Sequence, residues 1–151
     1  MPTIKNFERV SQYKQNIIMF KLGERSKKRL TGVNLLLVDC LEIALSKSKY
    51  DMTVPWMGGV RTAAEQNNIF KEGNSKCDGY KVLSYHQSGN ALDVIPVQGG
   101  YDNVKAMNYF AQLMFDTWND MQYTDEYNLH WGGFWGAKGW DKPHFELRKK
   151  E

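Results

Sequence analysis

The stretch SYHQSGNALDV, residues 84–94, places a histidine and an aspartate where they could share one site. Asp93 stands in a run typical of a β-strand, and a carboxylate buried in an apolar strand is costly unless it is paired or binds a metal. His86 lies seven residues earlier. In an unbroken strand this odd offset would point the two side chains to opposite faces, so their meeting requires a bend, which Gly89 favours.

A second histidine stands in the apolar stretch WDKPHFEL, residues 140–147, three positions after Asp141. Together with His86 and Asp93, His144 would complete a set of two histidines and one carboxylate. Such a set is typical of catalytic zinc sites with a fourth position open for water. Asp141 is then the nearest spare carboxylate that can accept a proton from that water. A simple ion pair of histidine and aspartate in the core remains an open alternative.

Several other residues allow two interpretations. His130, in NLHWGG, is interpreted as a structural or surface residue. Glu146 shares a strand face with His144 and is either a partner of that ligand or a solvated carboxylate at a sheet edge. Three tryptophans shortly before His144 either line a groove for a long substrate or pack in the core: Trp131, Trp135 and Trp140.

Length and composition predict one globular domain. A chain of 151 residues, of which 42% are hydrophobic and 25% charged, fits a single domain with one core. We expect an N-terminal arm over residues 1–30, with a short helix near 7–18, followed by a core over about 30–147. The net charge is only +3 and the charges are scattered, which argues against nucleic-acid binding.

The chain contains no sign of a membrane segment or an export signal. No apolar run approaches the roughly 18 residues of a membrane helix, and none resembles the core of a signal peptide. We therefore expect no membrane insertion and a cytoplasmic starting location. The two cysteines match no zinc spacing. Cys40 is interpreted as a core residue and Cys77 as a loop residue, and a disulfide between them is left open.

Apolar periodicity and capping residues predict three helices. Asn34 caps a helix that runs to about Lys47, Thr62 and Glu65 form a capping box for a helix ending at Gly73, and Asp102 or Asn103 caps a long third helix. The predicted inward stripe of the first helix is Leu37, Val38, Leu41, Ala44 and Leu45. That of the third is Val104, Met107, Ala111, Met114, Trp118 and Met121.

Short strands are predicted at residues 52–60, 81–86, 91–97 and 144–147. Because helices and strands are mixed without βαβ regularity, the predicted class is α+β, a small antiparallel sheet with packed helices. Arg61 stands at the junction of a strand and a helix, a place from which side chains often project into a site.

The motifs together resemble one family of zinc peptidases. SYHQSGNALDV matches the SxHxxGxAxD signature of the family that includes D-alanyl-D-alanine carboxypeptidases and phage L-alanyl-D-glutamate endolysins. WDKPHFEL resembles its second signature, an acidic residue three positions before a histidine, and GGVRTAAEQ resembles its first block. The resemblance covers about residues 30–147. LTGVNLLLVDC and HWGGFW are most similar to the endolysin branch, although Phe134 stands where that branch would have an acidic residue.

This resemblance implies a fold and a role for each motif residue. The fold would be like that of hedgehog proteins and D-Ala-D-Ala peptidases. The implied zinc ligands are His86, Asp93 and His144, with Asp141 as catalytic base and Arg61 stabilising the developing oxyanion. Two further motif positions would give support or contact substrate: Ser84 and Gln66.

The implied function is that of a zinc-dependent endolysin that cleaves the L-Ala–D-Glu bond of the peptidoglycan stem peptide. We expect a monomer held in the host cytoplasm until a membrane pore releases it to the cell wall. A weak positive charge would help it adhere to an anionic envelope. The alternatives are a D-Ala-D-Ala carboxypeptidase or dipeptidase with the same zinc chemistry, and a zinc-dependent wall-binding module without catalysis.

Overall fold

The computed structural model describes residues 19–151. The helix expected near residues 7–18 lies outside the described residues. The described residues form four α-helices: α1 Glu24–Arg29, α2 Leu35–Lys47, α3 Ala63–Lys71 and α4 Val104–Asp120. The strands are β1 Met52–Thr53, β2 Ala91–Asp93, β3 Ile95–Pro96, β4 Tyr127–Trp131 and β5 His144–Lys149. No helix of this part of the chain is long and apolar enough to cross a membrane.

The strands form two small antiparallel sheets. One has three strands in the order β2-β5-β4, and the other pairs β1 with β3. Together with the packed helices this is the predicted α+β architecture. In the central strand β5, successive residues point to opposite faces. Phe145 and Leu147 point into the apolar core, while His144 and Glu146 point to the other face of the sheet.

The helices begin where their capping residues predict. The Asn34 side chain accepts a hydrogen bond from the backbone of Leu36, and Asn103 caps α4 through the backbone of Ala106. Helix α3 has the predicted capping box of Thr62 and Glu65, in which each side chain bonds the other's backbone N–H. These caps satisfy amide groups that have no partner inside the helix.

The core lies between α2, α4 and the three-stranded sheet. Most of the predicted stripes are buried, including Leu41 and Met114. Val104 is wrong as a core residue, because it begins α4 and is 44% exposed, and Val38 is only partly buried. Positions outside the predicted stripes fill the interface instead: Cys40, Phe110 and Thr117. Burying a side chain of the size of Leu41 contributes about 1.5–3 kcal/mol.

Two predicted strands are wrong or much shorter. The segment 81–86 is not a strand, because the Asp78 carboxylate accepts the N–H groups of Tyr80, Lys81 and Val82, which pairing would need. The strand expected over 52–60 stops at Thr53. Beyond it Pro55 lacks an N–H donor, and a turn closes when the backbone of Gly58 donates to the Pro55 carbonyl.

The run 91–97 is split between the two sheets. Strand β2 pairs with β5, whereas β3 pairs with β1. Val94 stands between them, and its N–H donates to the carbonyl of Pro143. The change of partner ends the first short strand at Asp93, so that this carboxylate lies at a strand end rather than in the middle of a long strand.

Candidate metal centre

Strand register brings Asp93 to His144. The two residues are directly opposite in the β2–β5 ladder, so their side chains share a face. The Oδ1 atom of Asp93 lies 3.1 Å from Nδ1 of His144. The two positions are 51 residues apart in sequence, and only sheet pairing joins them.

His86 reaches the same point from a bend, as predicted. A single 3₁₀ turn, Tyr85–Ser88, carries it, and Ser84 and Gln87 close a capping box around the turn. The turn ends at Gly89, whose φ of +78° suits glycine, and a Cβ there would stand 2.6 Å from the Gly32 carbonyl oxygen. Nε2 of His86 is then 3.2 Å from the Asp93 carboxylate and 3.1 Å from Nδ1 of His144.

Each histidine ring has an inner nitrogen, which faces the other two residues, and an outer nitrogen, which is hydrogen-bonded elsewhere. Nδ1 of His86 is 2.8 Å from the Gly59 carbonyl oxygen, and Nε2 of His144 is 2.7 Å from a Glu146 carboxylate oxygen. Both partners can only accept, so both outer nitrogens carry a hydrogen. When the rings are neutral, as metal binding requires, the inner nitrogens present lone pairs to the point where Asp93 also lies.

Three electron-pair donors this close together suit a cation. Their mutual distances are 3.1–3.2 Å, and the three residues are mostly buried. Ligands placed tetrahedrally at about 2.0–2.1 Å from a metal stand about 3.3–3.4 Å apart, close to this triangle. The donor set and its spacing thus fit a divalent metal held by His86, Asp93 and His144, hereafter the triad.

The charges around the triad are strongly coupled. Burial alone would raise the pKa of Asp93, but His86 and His144 lower it below the usual range of an aspartate. Burial lowers the pKa of His144, yet hydrogen bonds to Asp93 and Glu146 outweigh this effect and raise it to about 9. Without a metal the His144 ring thus holds a proton, which a divalent cation bound at this point would displace.

Asp141 stands beside the triad. Its Oδ2 atom is 4.0 Å from Nδ1 of His144, and its side chain is 27% exposed. Burial and the neighbouring charge of Asp93 raise the pKa of Asp141 to about 6. Close packing fixes the segment, since a Cβ on Gly132 would stand 2.2 Å from the Asp141 carbonyl oxygen. A carboxylate of this kind can exchange a proton with a group bound next to the triad.

Arg61 lies against the outer side of Asp93. Its Nη2 donates to Oδ2 of Asp93 at 3.1 Å, its Nε to the Met57 carbonyl at 2.8 Å and its Nη1 to Gln66 at 3.0 Å. Gln66 is fully buried and is held in turn by the Cys77 carbonyl. Since Oδ2 of Asp93 is engaged by the guanidinium, Oδ1 faces the two histidines. The sequence did not predict this contact between Arg61 and Asp93.

Glu146 is a partner of His144 and not a solvated edge residue. It is 2% exposed, and its second carboxylate oxygen accepts from Nε of Arg148 at 2.7 Å. Sequence reasoning missed Arg148. The signal was present in the period of two along β5, which puts His144, Glu146 and Arg148 on one face. His130 is partly buried opposite Glu146 on β4, where burial and the charge of Arg148 lower its pKa.

Two clefts open beside the triad. The larger, of about 880 Å³, and the smaller, of about 390 Å³, share Arg61, Asp93 and Asp141 in their walls. Trp140, which is 47% exposed, lines both clefts. Trp135 lines the smaller cleft, with its ring centre 5.1 Å from that of His144. Trp131 is instead a core residue, 7% exposed.

The cysteines do not form a disulfide; both thiols are free. Cys40 is buried, as predicted, and its thiol lies 3.4 Å from the Met114 carbonyl oxygen. Burial raises the pKa of the Cys40 thiol to about 12. Cys77 stands in the loop before the 3₁₀ turn, at the wall of the smaller cleft.

The chain matches one protein family and a solved structure. The family described as phage L-alanyl-D-glutamate peptidase matches residues 18–148. Among solved structures, the L-Ala D-Glu endopeptidase ChiX of Serratia marcescens superimposes with a TM-score of 0.66 at 26% sequence identity, covering 83% of this chain and 87% of that one. No curated protein sequence matches the chain at a significant level.

Proposed function

Since the chain belongs to the phage L-alanyl-D-glutamate peptidase family, we propose that it is a zinc-dependent endolysin cleaving the L-Ala–D-Glu bond of the peptidoglycan stem peptide. The chain is thus a peptidase whose substrate is peptidoglycan. One observation carries the proposed chemistry: two histidines and a carboxylate form a metal-sized triangle beside the spare carboxylate of Asp141, in the wall of two open clefts.

His86, Asp93 and His144 would hold the zinc ion through Nε2, Oδ1 and Nδ1. Two imidazoles with one carboxylate are a ligand set that suits zinc. When bound, zinc lowers the pKa of a bound water toward about 7 and polarises a carbonyl group.

Asp141 would act as the general base. It takes a proton from the attacking water and passes it to the departing amino group of D-Glu. Without a metal, burial and the charge of Asp93 raise its pKa to about 6. A divalent cation nearby would lower that pKa again, because an opposite charge favours the ionised carboxyl.

Arg61 would stabilise the negative charge that develops on the L-Ala carbonyl oxygen. Three of the five guanidinium N–H groups are used by Met57, Gln66 and Asp93. Each terminal nitrogen retains one further N–H, and the side chain lines both clefts. A guanidinium fixed in this way needs no reorganisation when charge develops, which is the condition for effective electrostatic stabilisation.

The deciding experiment is mass spectrometry of peptides released from purified peptidoglycan, with and without a chelator. Endopeptidase cleavage should expose a new D-Glu amino terminus and leave L-Ala on the lactyl side. The Asp141→Asn variant is the matched control, because it should retain metal and fold. Release of free D-Ala without a new D-Glu terminus would support the carboxypeptidase alternative, and wall binding without any release would support the non-catalytic module.

We further propose that the protein acts as a monomer and stays in the host cytoplasm until a membrane pore gives it access to the wall. Light scattering of the purified chain tests the first statement. Fractionation of infected cells before and after lysis tests the second, and early appearance of the chain outside the cytoplasm would contradict it.

A further inference from the structure

The two clefts beside the triad are lined by side chains of different charge. The larger cleft alone is lined by Glu65 and Glu72, and the smaller alone by Lys76, Arg148 and Glu146. The Glu146 carboxylate is already bonded to His144 and Arg148, so it offers little to a ligand. A ligand that crosses the triad therefore meets negative charge on one side and positive charge on the other.

Three exposed aromatic rings line the larger cleft, two of them in this cleft alone and one, Trp140, in both clefts. Trp56 is 74% exposed, Tyr101 60% and Trp140 47%. Large aromatic side chains with a free face are suited to ligands with an apolar face and a polar edge. The amide of Asn68 lines this cleft alone and that of Asn74 lines both clefts, and amides can hydrogen-bond hydroxyl and acetamido groups. Aromatic faces next to amides and carboxylates are the chemistry that binds uncharged sugars.

The proposed substrate has the same asymmetry. On the L-Ala side of the scissile bond the chain leads through a lactyl group to an uncharged amino sugar. On the other side D-Glu continues through its γ-carboxyl group, so its α-carboxylate stays free next to the departing nitrogen. Like charges repel and opposite charges attract, so this carboxylate is disfavoured near Glu65 and Glu72 and favoured near Lys76.

We propose that the stem peptide crosses the triad in one direction, with the sugar end in the larger cleft and the D-Glu α-carboxylate in the smaller one, where Lys76 recognises it. This inference rests on the proposed function. Lys76 lines the smaller cleft alone, with its ammonium 5.5 Å from the centre of the Trp140 ring, which lines both.

Lys76 is a better probe of this orientation than Arg148. Arg148 bonds Glu146, which bonds His144, so a change at Arg148 would also disturb the triad. Lys76 is exposed and its side chain contacts Trp140 rather than the triad. Two residues outside both clefts give matched controls: Lys81, an exposed lysine five positions on, and Tyr123, which is 86% exposed.

The experiment uses four soluble substrates and the full, zinc-loaded chain. Two carry a muramoyl group on L-Ala-D-Glu-L-Lys, and two carry an acetyl group in its place. Within each pair the D-Glu α-carboxyl group is either free or converted to a carboxamide. KM and kcat are measured for the wild type, Lys76→Gln, Trp56→Ala, and the controls Lys81→Gln and Tyr123→Ala.

Lys76→Gln should raise KM about fivefold for the free carboxylates and less than about twofold for the carboxamides, as expected for loss of one exposed charge pair. Trp56→Ala should raise KM only for the muramoyl substrates. The controls should match the wild type. Equal effects of Lys76→Gln on carboxylate and carboxamide would overturn the proposal, and so would a Trp56→Ala effect that follows the carboxyl group instead of the sugar. If the wild type cleaves none of the four at L-Ala–D-Glu, the proposed function itself is refuted.

Discussion

The two histidines of the triad have similar positions but different supports. We define the turn side as His86, Gly59 and Arg61. Main-chain groups make most of its hydrogen bonds: the Gly59 carbonyl accepts from the His86 ring, and the backbone N–H of Arg61 donates to the His86 carbonyl. On the sheet side, defined as His144, Glu146, Arg148 and Asp141, side chains hold the ring. A support made of main chain resists mutation, whereas a support made of side chains can be changed without rebuilding the fold.

The largest expected effect is loss of the metal, and it should be the same for the turn side and the sheet side. His86→Ala and His144→Ala each remove one of the three proposed metal ligands, so each should lower bound zinc from about one per chain to nearly none and abolish cleavage. Metal analysis by mass spectrometry, with circular dichroism to confirm folding, measures this outcome. Full zinc retention in either variant would remove that residue from the proposed ligand set.

Asp141→Asn should separate the sheet side's chemistry from its metal binding. The amide cannot accept a proton, so turnover should fall by about 10²–10⁴ while zinc is retained. The measurement is kcat on a soluble stem peptide together with zinc content. Loss of zinc here, combined with retention in His144→Ala, would show that ligand and base are exchanged.

Arg61→Lys tests the side-chain component of the turn side. Lysine keeps the charge but loses the planar fork that joins Met57, Gln66 and Asp93. We expect kcat to fall by about 10-fold to 100-fold with zinc content unchanged. Wild-type turnover in both Arg61→Lys and Arg61→Ala would reduce Arg61 to a structural residue.

Glu146→Gln and Gly59→Ala compare the two supports directly. Glutamine still accepts from the His144 ring but lacks charge, so zinc affinity should fall by about 10-fold to 100-fold in a chelator competition assay. A Cβ on Gly59 would stand 1.9 Å from the Arg29 carbonyl oxygen, so Gly59→Ala should lower the melting temperature of the protein even without metal. If Glu146→Gln lowers stability without any change in zinc affinity, the contrast between the two sides is wrong.

The smallest expected effect concerns pH and the metal-free protein. The pKa of Asp141 is raised from 3.8 to about 6 in the folded state, so the protein loses stability progressively between about pH 4 and pH 6, with the full loss present above about pH 6 and none below about pH 4. Asp141→Asn should therefore stabilise the chelated protein by on the order of 1 kcal/mol at pH 7. Thermal unfolding at pH 7 and pH 4 tests this, and an equal shift at both values would contradict it.

Local signals in the sequence were dependable where a few neighbouring residues complete the structure themselves. The caps Asn34 and Asn103 and the box of Thr62 and Glu65 form as predicted, because the partners lie within three positions of one another. The strand expected at 81–86 failed for a similar local reason. There the Asp78 side chain accepts hydrogen bonds from three successive backbone N–H groups. Strand propensity does not account for a side chain that competes with a neighbouring strand for these groups.

The sequence by itself determined which chemical groups are present: two histidines and two aspartates in two motifs. It also indicated the bend at Gly89 that His86 needs in order to reach Asp93. Only the tertiary structure decided how they meet. The pairing of Asp93 with His144 depends on the β2–β5 register, and His86 lies 58 residues from His144. The tertiary structure also decided three other features: the contact of Arg61 with Asp93, the burial of Glu146 and the opposite charge of the two clefts. Each of them depends on segments that are far apart in the chain. Contacts over such separations form only when the whole core packs, because their loop-closure entropy is offset by burial elsewhere and not by any local motif.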